Sequence, residues 1–321
     1  MEEIPFDPFP LISGAHRQTV LGSFINNPKP LESKTEKIVL SDRAALTCEV
    51  NTPKDWKKND LSVVLVHGLC GSHNSSCLVR CSRTFYNNGI QTFRLNLRNS
   101  GSARGLSKKL YHGGQTEDLL EVLKFLKEKY PDSPFALLGF SLGGNLVLKL
   151  SGELGEGATK YYKQAIALNS PVDLHLNEML FDSYRNRFYR RYFVRLMRQN
   201  VLYLQDKFSD IPKIEIPLDA TMKYYDEVYT SPTHGFRNPE HYYKVASSIY
   251  YLNEIKIPCR ILFAKDDPII CSKPIWYKNF PKNVEVFYTE KGGHLGYIAN
   301  PKTEKQLYWL DNTLLNWLKD F

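Results

Sequence analysis

The chain has 321 residues, 42% of them hydrophobic, which is ample for a sizeable core, and its mean hydropathy is negative. Its most apolar stretch, 63–66, is far shorter than the roughly 20 residues that cross a bilayer, so no spanning helix is expected. The net charge of +8 (42 basic against 34 acidic residues) comes without zinc-finger spacing, an RNA-binding aromatic signature or a long Lys/Arg tract, which sets nucleic acid aside as a partner.

The opening MEEIPFDPFPLI carries acids and prolines where a secretory leader needs a basic region and an apolar run, and the expected location is the cytoplasm. Residues 1–30, rich in Pro, Phe and Asn, read as an irregular arm. Two alternating runs at 37–40 and 46–50 predict a β-hairpin. Residues 62–67 (SVVLVH) are β-branched and nearly all apolar, as a strand covered on both faces requires. Further strands are predicted at 90–96, 135–139, 165–169, 259–264 and 284–288. Between them, 118–130 places Leu119, Leu123, Leu126 and Tyr130 on one helical face. An amphipathic helix with Leu307, Leu310, Leu314 and Leu318 inward closes the chain. Strand–helix alternation implies a single α/β domain over 1–321, with a mostly parallel central sheet covered by helices. The six cysteines, Cys48, Cys70, Cys77, Cys81, Cys259 and Cys271, are scattered, and free thiols are expected.

One interval breaks the rhythm. Some ninety residues separate the strands at 165–169 and 259–264, where a βαβ crossover needs about thirty. The excess, about 172–256, is predicted to be a helical cap insertion. Loops at the carboxyl ends of parallel strands surround the ligand site, so a cap there would cover it.

The chemistry-bearing signal is G-F-S-L-G at 139–143, between an apolar strand and a helix-forming run. A serine on a sharp strand-to-helix turn needs small neighbours two residues away, and Gly139 and Gly143 supply them. The turn would expose Ser141 at the positive end of a helix. Serine needs a base to take its proton, and His294, in K-G-G-H-L-G beyond the last strand, has the right place in the order Ser, acid, His. Lys265-Asp266-Asp267-Pro268 offers two carboxylates; the Asp-Pro form favours Asp267, leaving Asp266 as a turn residue bonding local backbone. Backbone N–H groups of Leu69, in H-G-L-C-G-S, and Leu142 are the candidate oxyanion donors. His67 is expected to hold that loop rather than act as a second base, and Cys70 is set aside as nucleophile because Ser141 has the elbow. No cofactor and no metal is implied, since water is the second substrate.

Together, GAHRQT (14–19), HGLCGS, RLNLRNSG (94–101), YHGGQTED (111–118), GFSLGGN, SPTHGF (231–236), AKDDP and GGHLG resemble the α/β-hydrolase family 4. That family comprises YheT-type bacterial hydrolases, vertebrate membrane-associated phospholipases and yeast medium-chain ethyl ester synthases/esterases. The resemblance spans the chain in order and implies the α/β-hydrolase fold. It also places the triad on Ser141, Asp267 and His294, with esterase or lipase chemistry on a small acyl ester or lipid. Asn99 departs from the family, standing where Gly usually follows Arg, and a structural effect at most is expected.

Within the insertion, 184–198 (YRNRFYRRYFVRLMR) has six arginines and no acid, with Phe188, Tyr192 and Leu196, and again Tyr189, Phe193 and Met197, four apart. This predicts a helix with a wide apolar stripe and a basic opposite face. It is either a cap helix whose arginines face water or one that also rests on anionic lipid in peripheral membrane contact. Hydrolysis of medium-chain acyl esters or lipids is the leading expectation. Acyl transfer to an alcohol by the same acyl-enzyme and an inactive, binding-only hydrolase fold are the alternatives, and the oligomeric state is left open.

Overall fold

The structure, a computed structural model, describes residues 1–321 apart from 26, 27, 277, 305 and 321. Nine strands form one sheet: β1 (Glu2–Glu3), β2 (Lys34–Val39), β3 (Ala45–Asn51), β4 (Ser62–Val66), β5 (Gln91–Asn96), β6 (Phe135–Phe140), β7 (Gln164–Leu168), β8 (Cys259–Ala264) and β9 (Val284–Thr289), in the order β1-β9-β8-β7-β6-β4-β5-β3-β2. Pairing is parallel from β1 through β5, and antiparallel for β5 with β3 and β3 with β2. The chain thus belongs to the α/β class. Because β4 leads to β5 on one side and its neighbour β6 leads to β7 on the other, the connections from these two carboxyl ends run in opposite directions. Such a switch point opens a crevice.

The helices are α1 (Ala15–Gly22), α2 (Ser76–Tyr86), α3 (Thr116–Lys129), α4 (Leu142–Leu154), α5 (Leu174–Asp182), α6 (Arg187–Lys207), α7 (Met222–Tyr225), α8 (Ser231–His234), α9 (Pro239–Ala246), α10 (Lys273–Trp276) and α11 (Trp309–Lys319). Successive side chains of a strand point to opposite faces. Val64 and Val66 of β4 therefore pack in one core, with Leu119, Leu123 and Leu126 of α3 and Leu146 of α4. Val63 and Leu65 pack in the other, with Leu78 and Phe85 of α2 and Leu310, Leu314 and Leu318 of α11. The apolar run of β4 needs both layers.

Three sequence expectations shift. The arm is not wholly irregular: β1 extends the sheet along β9, and α1 forms from residues 15–22. Leu307 precedes α11, and its carbonyl instead accepts from Ala299 N–H at 2.8 Å. Tyr130 caps α3 half-buried, stacking edge-on against Phe93 and Trp56. All six cysteines are unpaired.

The 90 residues 169–258, between β7 and β8, hold α5 to α9 and most of a small core around Val194, Met197, Val201 and Leu204 of α6, which also takes in Leu110. The wide stripe expected on 184–198 divides there. Met197 is buried and Phe193 half-buried, but Phe188 is 67% and Tyr192 59% exposed. Nor do all the arginines face water. Arg190 Nη1 donates to Asp182 O at 2.9 Å and Arg198 Nε to Ile216 O at 2.8 Å, tying α6 to neighbouring segments. Among the described residues no helix is long and apolar enough to cross a membrane.

Candidate active site

Ser141 forms the turn from β6 into α4 with φ 52° and ψ −124°, a conformation L-residues seldom adopt. Its surroundings hold it there. Ser141 N–H donates to Leu168 O on β7 at 2.8 Å. A Cβ on Gly139 would collide with the backbone of Gly143 and Gly144, and one on Gly143 with the carbonyl oxygens of Val66 and His67. Glycine at both positions is a steric requirement of the turn. The serine then caps a 13-residue helix, whose N-terminal dipole favours negative charge beside it.

His294 sits beyond β9 on a loop that Gly292 and Gly293 turn with φ 147° and 57°. Its Nδ1 lies 2.8 Å from Asp267 Oδ2, and the Asp267 side chain is only 1% exposed. The remaining acceptor capacity of Asp267 is filled. Ile269 and Ile270 N–H donate to Oδ1 at 2.8 and 3.0 Å, and Asn169 Nδ2 donates to Oδ2 at 2.7 Å. Asp266 turns the other way, its Oδ1 accepting from Gly293 N–H at 2.8 Å. Where a turn residue bonding the local backbone is expected, Asp266 instead clasps the loop that carries the histidine. Burial holds its carboxyl above the usual range.

Leu69 and Leu142 line the same cavity as Ser141 and His294. In the loop after β4, Cys70 N–H donates to Tyr111 Oη at 2.7 Å and Gly71 N–H to Gly68 O at 3.1 Å. Leu142 N–H lies in the first turn of α4, where helical N–H groups lack intrahelical acceptors. His67 is fully buried; Nδ1 donates to Gly68 O at 2.7 Å and Nε2 accepts from Leu97 N–H at 3.2 Å. Both ring nitrogens are committed, and burial pushes the imidazole down to about 4, so it stays neutral. Burial likewise pushes the Cys70 thiol up to about 12, far from a thiolate at neutral pH.

The cavity measures about 490 Å³. Phe181, Phe193, Leu196 and Met197 of the insertion and Ile269 and Ile270 of the acid loop give it an apolar wall. Asp226 also borders it, accepting from Thr230 Oγ1 at 2.6 Å and Tyr243 Oη at 2.9 Å; burial pushes its carboxyl up to about 7.

Several supporting residues escaped sequence reasoning. His294 N–H donates to Thr19 Oγ1 at 2.8 Å, and Gln18 brackets Ile298, donating through Nε2 and accepting through Oε1 at 3.0 and 2.8 Å. The arm therefore underpins the histidine loop, and its GAHRQT run was the signal. Asn169, itself at φ 45°, receives a bond from Tyr297 Oη at 2.9 Å and passes one to Asp267. Asn99 has φ 60°, which asparagine tolerates better than most residues. Its amide bonds Ser107 O, Lys109 O and Gly105 N at 2.9, 2.7 and 2.9 Å, which a glycine would forgo.

Comparison with known proteins agrees with this architecture. YheT of Escherichia coli (strain K12) is 26% identical over 323 residues, covering 98% of this chain and 93% of that protein. "Abhydrolase domain-containing protein 2" of Drosophila melanogaster is 30% identical, with 94% and 80% covered. The "Monoacylglycerol lipase" of Saccharomyces cerevisiae (strain ATCC 204508 / S288c) is 28% identical, with 81% of this chain and 59% of that protein covered. Among solved structures, the Pyrococcus furiosus esterase Pf2001 superposes with a TM-score of 0.59 at 17% identity, over 99% of this chain and 98% of that one. The family model described as alpha/beta hydrolase fold matches residues 62–301, and the chain belongs to that family, within its YheT-like group.

Proposed function

We propose that the chain is a serine hydrolase of carboxylic esters carrying medium-length acyl chains or lipid acyl groups. The observation that carries this reading is the convergence on one cavity of a strained serine that lines it and a histidine bonded at 2.8 Å to a buried aspartate. His294 Nε2 takes the Ser141 hydroxyl proton while Oγ attacks the ester carbonyl carbon. The oxyanion so formed accepts from Leu69 and Leu142 N–H, each such donor being worth about 3 kcal/mol in the transition state. Collapse breaks the ester C–O bond, His294 returns its proton to the departing alcohol, and an acyl group remains on Ser141. Water, deprotonated by the same imidazole, then releases the acid. Asp267 keeps the imidazole in the tautomer that presents Nε2 to the serine.

The apolar wall formed by Phe181, Phe193, Leu196 and Met197 suits the acyl chain. The insertion, 172–256, acts in this reading as a cap over the cavity, within a single domain. A second reading is acyl transfer to an alcohol from the same acyl-enzyme. It is favoured by the 27% identity to the yeast "Medium-chain fatty acid ethyl ester synthase/esterase 2", 60% of which is covered. Fluorophosphonate labelling followed by p-nitrophenyl esters of graded chain length tests the first reading: no labelling and no hydrolysis would overturn it. Adding ethanol and assaying ethyl ester separates transfer from hydrolysis.

A further inference from the structure

The exposed face of α6 has a pattern that neither the cavity nor the cap's core explains. At 100° per residue, Val194, Met197, Val201 and Leu204 fall together and are buried. Phe193, Leu196 and Asn200 fall on a second side and line the cavity. The third side carries Phe188, Arg191, Tyr192, Arg195 and Leu202, all exposed, so large apolar groups alternate with guanidinium groups. Tyr192 belongs to two sides at once, being 59% exposed and also lining the cavity, which puts this surface at the cavity's mouth.

The arm supplies the other part of that rim. His16 stacks on Tyr189 with its Nδ1 2.9 Å from the tyrosine hydroxyl, holding α1 against α6. Just beyond α1, Phe24 is 75% exposed and lines the same cavity, and Val20 and Arg17 are exposed beside it. Neither segment dilutes this charge: residues 8–31 and 183–205 contain no Asp or Glu.

We propose that this rim docks the protein on an anionic lipid surface, with the arginines at the headgroups, Phe24, Phe188 and Tyr192 below them, and the cavity mouth facing the bilayer. Charge complementarity selects the occupant, because a face of alternating arginine and aromatic groups without one acid meets phosphate headgroups and acyl boundary together. Continuity with the cavity gives the contact its use: a lipid acyl group would pass from the bilayer to Ser141 along Tyr192 and Phe193 without crossing water. The inference deepens the proposed ester hydrolysis, but the binding itself does not depend on catalysis.

The test is co-sedimentation of the full chain with phosphatidylcholine vesicles and with vesicles in which about one third of the lipid is phosphatidylserine. Wild type and Ser141→Ala should both sediment with the anionic vesicles far more than with phosphatidylcholine alone. Binding should weaken as salt rises past about 0.1 M, where screening reaches roughly 10 Å. Arg191→Gln with Arg195→Gln should weaken binding about twenty-five-fold, two charges at roughly five-fold each. Phe188→Asp should weaken it as well. None of these three residues lines the cavity, so hydrolysis of a short soluble ester and the melting temperature should stay at wild-type values. No sedimentation by wild type at low salt, or equal sedimentation by the variants, would overturn the proposal. So would a concentration-dependent dimer abolished by Phe188→Asp, since a second copy would then cover the face. Vesicle binding as expected without hydrolysis of any ester would keep the surface and remove the esterase reading.

Discussion

The turn at Ser141 and the helix α6 border one cavity and are built under opposite constraints. Around the serine every position is closed: Gly139, Gly143 and Gly144 each have backbone or side-chain atoms where a Cβ would go, and the strand behind them is fully buried. On α6 one whole side is left open, and Phe188, Tyr192 and Leu202 remain exposed there. Sterics on the sheet side put reacting atoms in fixed places, whereas packing on the cap side only positions a surface. Substitutions on the sheet side should therefore strike turnover or folding, and those on the cap side access and attachment.

That contrast can be broken, and the largest effect tests it first. Ser141→Ala should lower kcat on a soluble ester by roughly 10⁵–10⁶ while leaving the melting temperature near wild type; residual turnover of a few per cent would place the nucleophile elsewhere. Asp267→Asn should cost about 10⁴ in kcat, because the wrong imidazole tautomer would face Ser141. Asp266→Asn, which touches Gly293 rather than His294, should cost about ten-fold or less, and kcat values measured side by side decide the order. Gly143→Ala pushes a methyl into Val66 O and His67 O and should destabilise the fold by about 1–3 kcal/mol or more, read from urea unfolding.

The remaining effect belongs to the cap and sharpens the comparison through pH. Asp226, ordinarily near 3.8, is pushed up to about 7 by burial. Between those values the folded protein keeps a proton that the unfolded chain has lost, so stability falls as pH rises through the window and levels off above it. Asp226→Asn removes this decline. Melting curves at about pH 5 and pH 8 should show a wild-type drop that the variant lacks, on the order of 1–4 kcal/mol. Parallel curves for the two proteins would mean that the insertion does not hold the carboxyl protonated.

How far the sequence could be read follows the same division. Strands buried on both faces announce themselves as apolar runs, and β4, β8 and β9 lie within a residue of their expected bounds. The serine turn was readable because its glycines leave a local pattern. Asp267 was preferred over Asp266 from a single proline, yet what Asp266 does instead required the loop around Gly293. Contacts such as Thr19 to His294, 275 residues apart, leave no periodicity to find. The α6 stripe was misread as wider than it is because spacing reports only that apolar groups share a side. Arg190 and Arg198, equal to their neighbours in sequence, are distinguished only by the carbonyls they reach.

The clasp of the arm on the histidine loop has a consequence for the order in which the chain is made. Ser141 and its elbow emerge from the ribosome 153 residues before His294, with β7 and the whole insertion in between. The imidazole has no seat until residues near 294 can reach back to Thr19 and Gln18, and Tyr308 in turn bonds the carbonyls of Gly22 and Ile25. If Ser141 is the nucleophile, as proposed, a nascent chain that has finished it is therefore still inert. In the proposed reading, catalytic competence arrives late, when the segment around His294 closes onto Gln18 and Thr19.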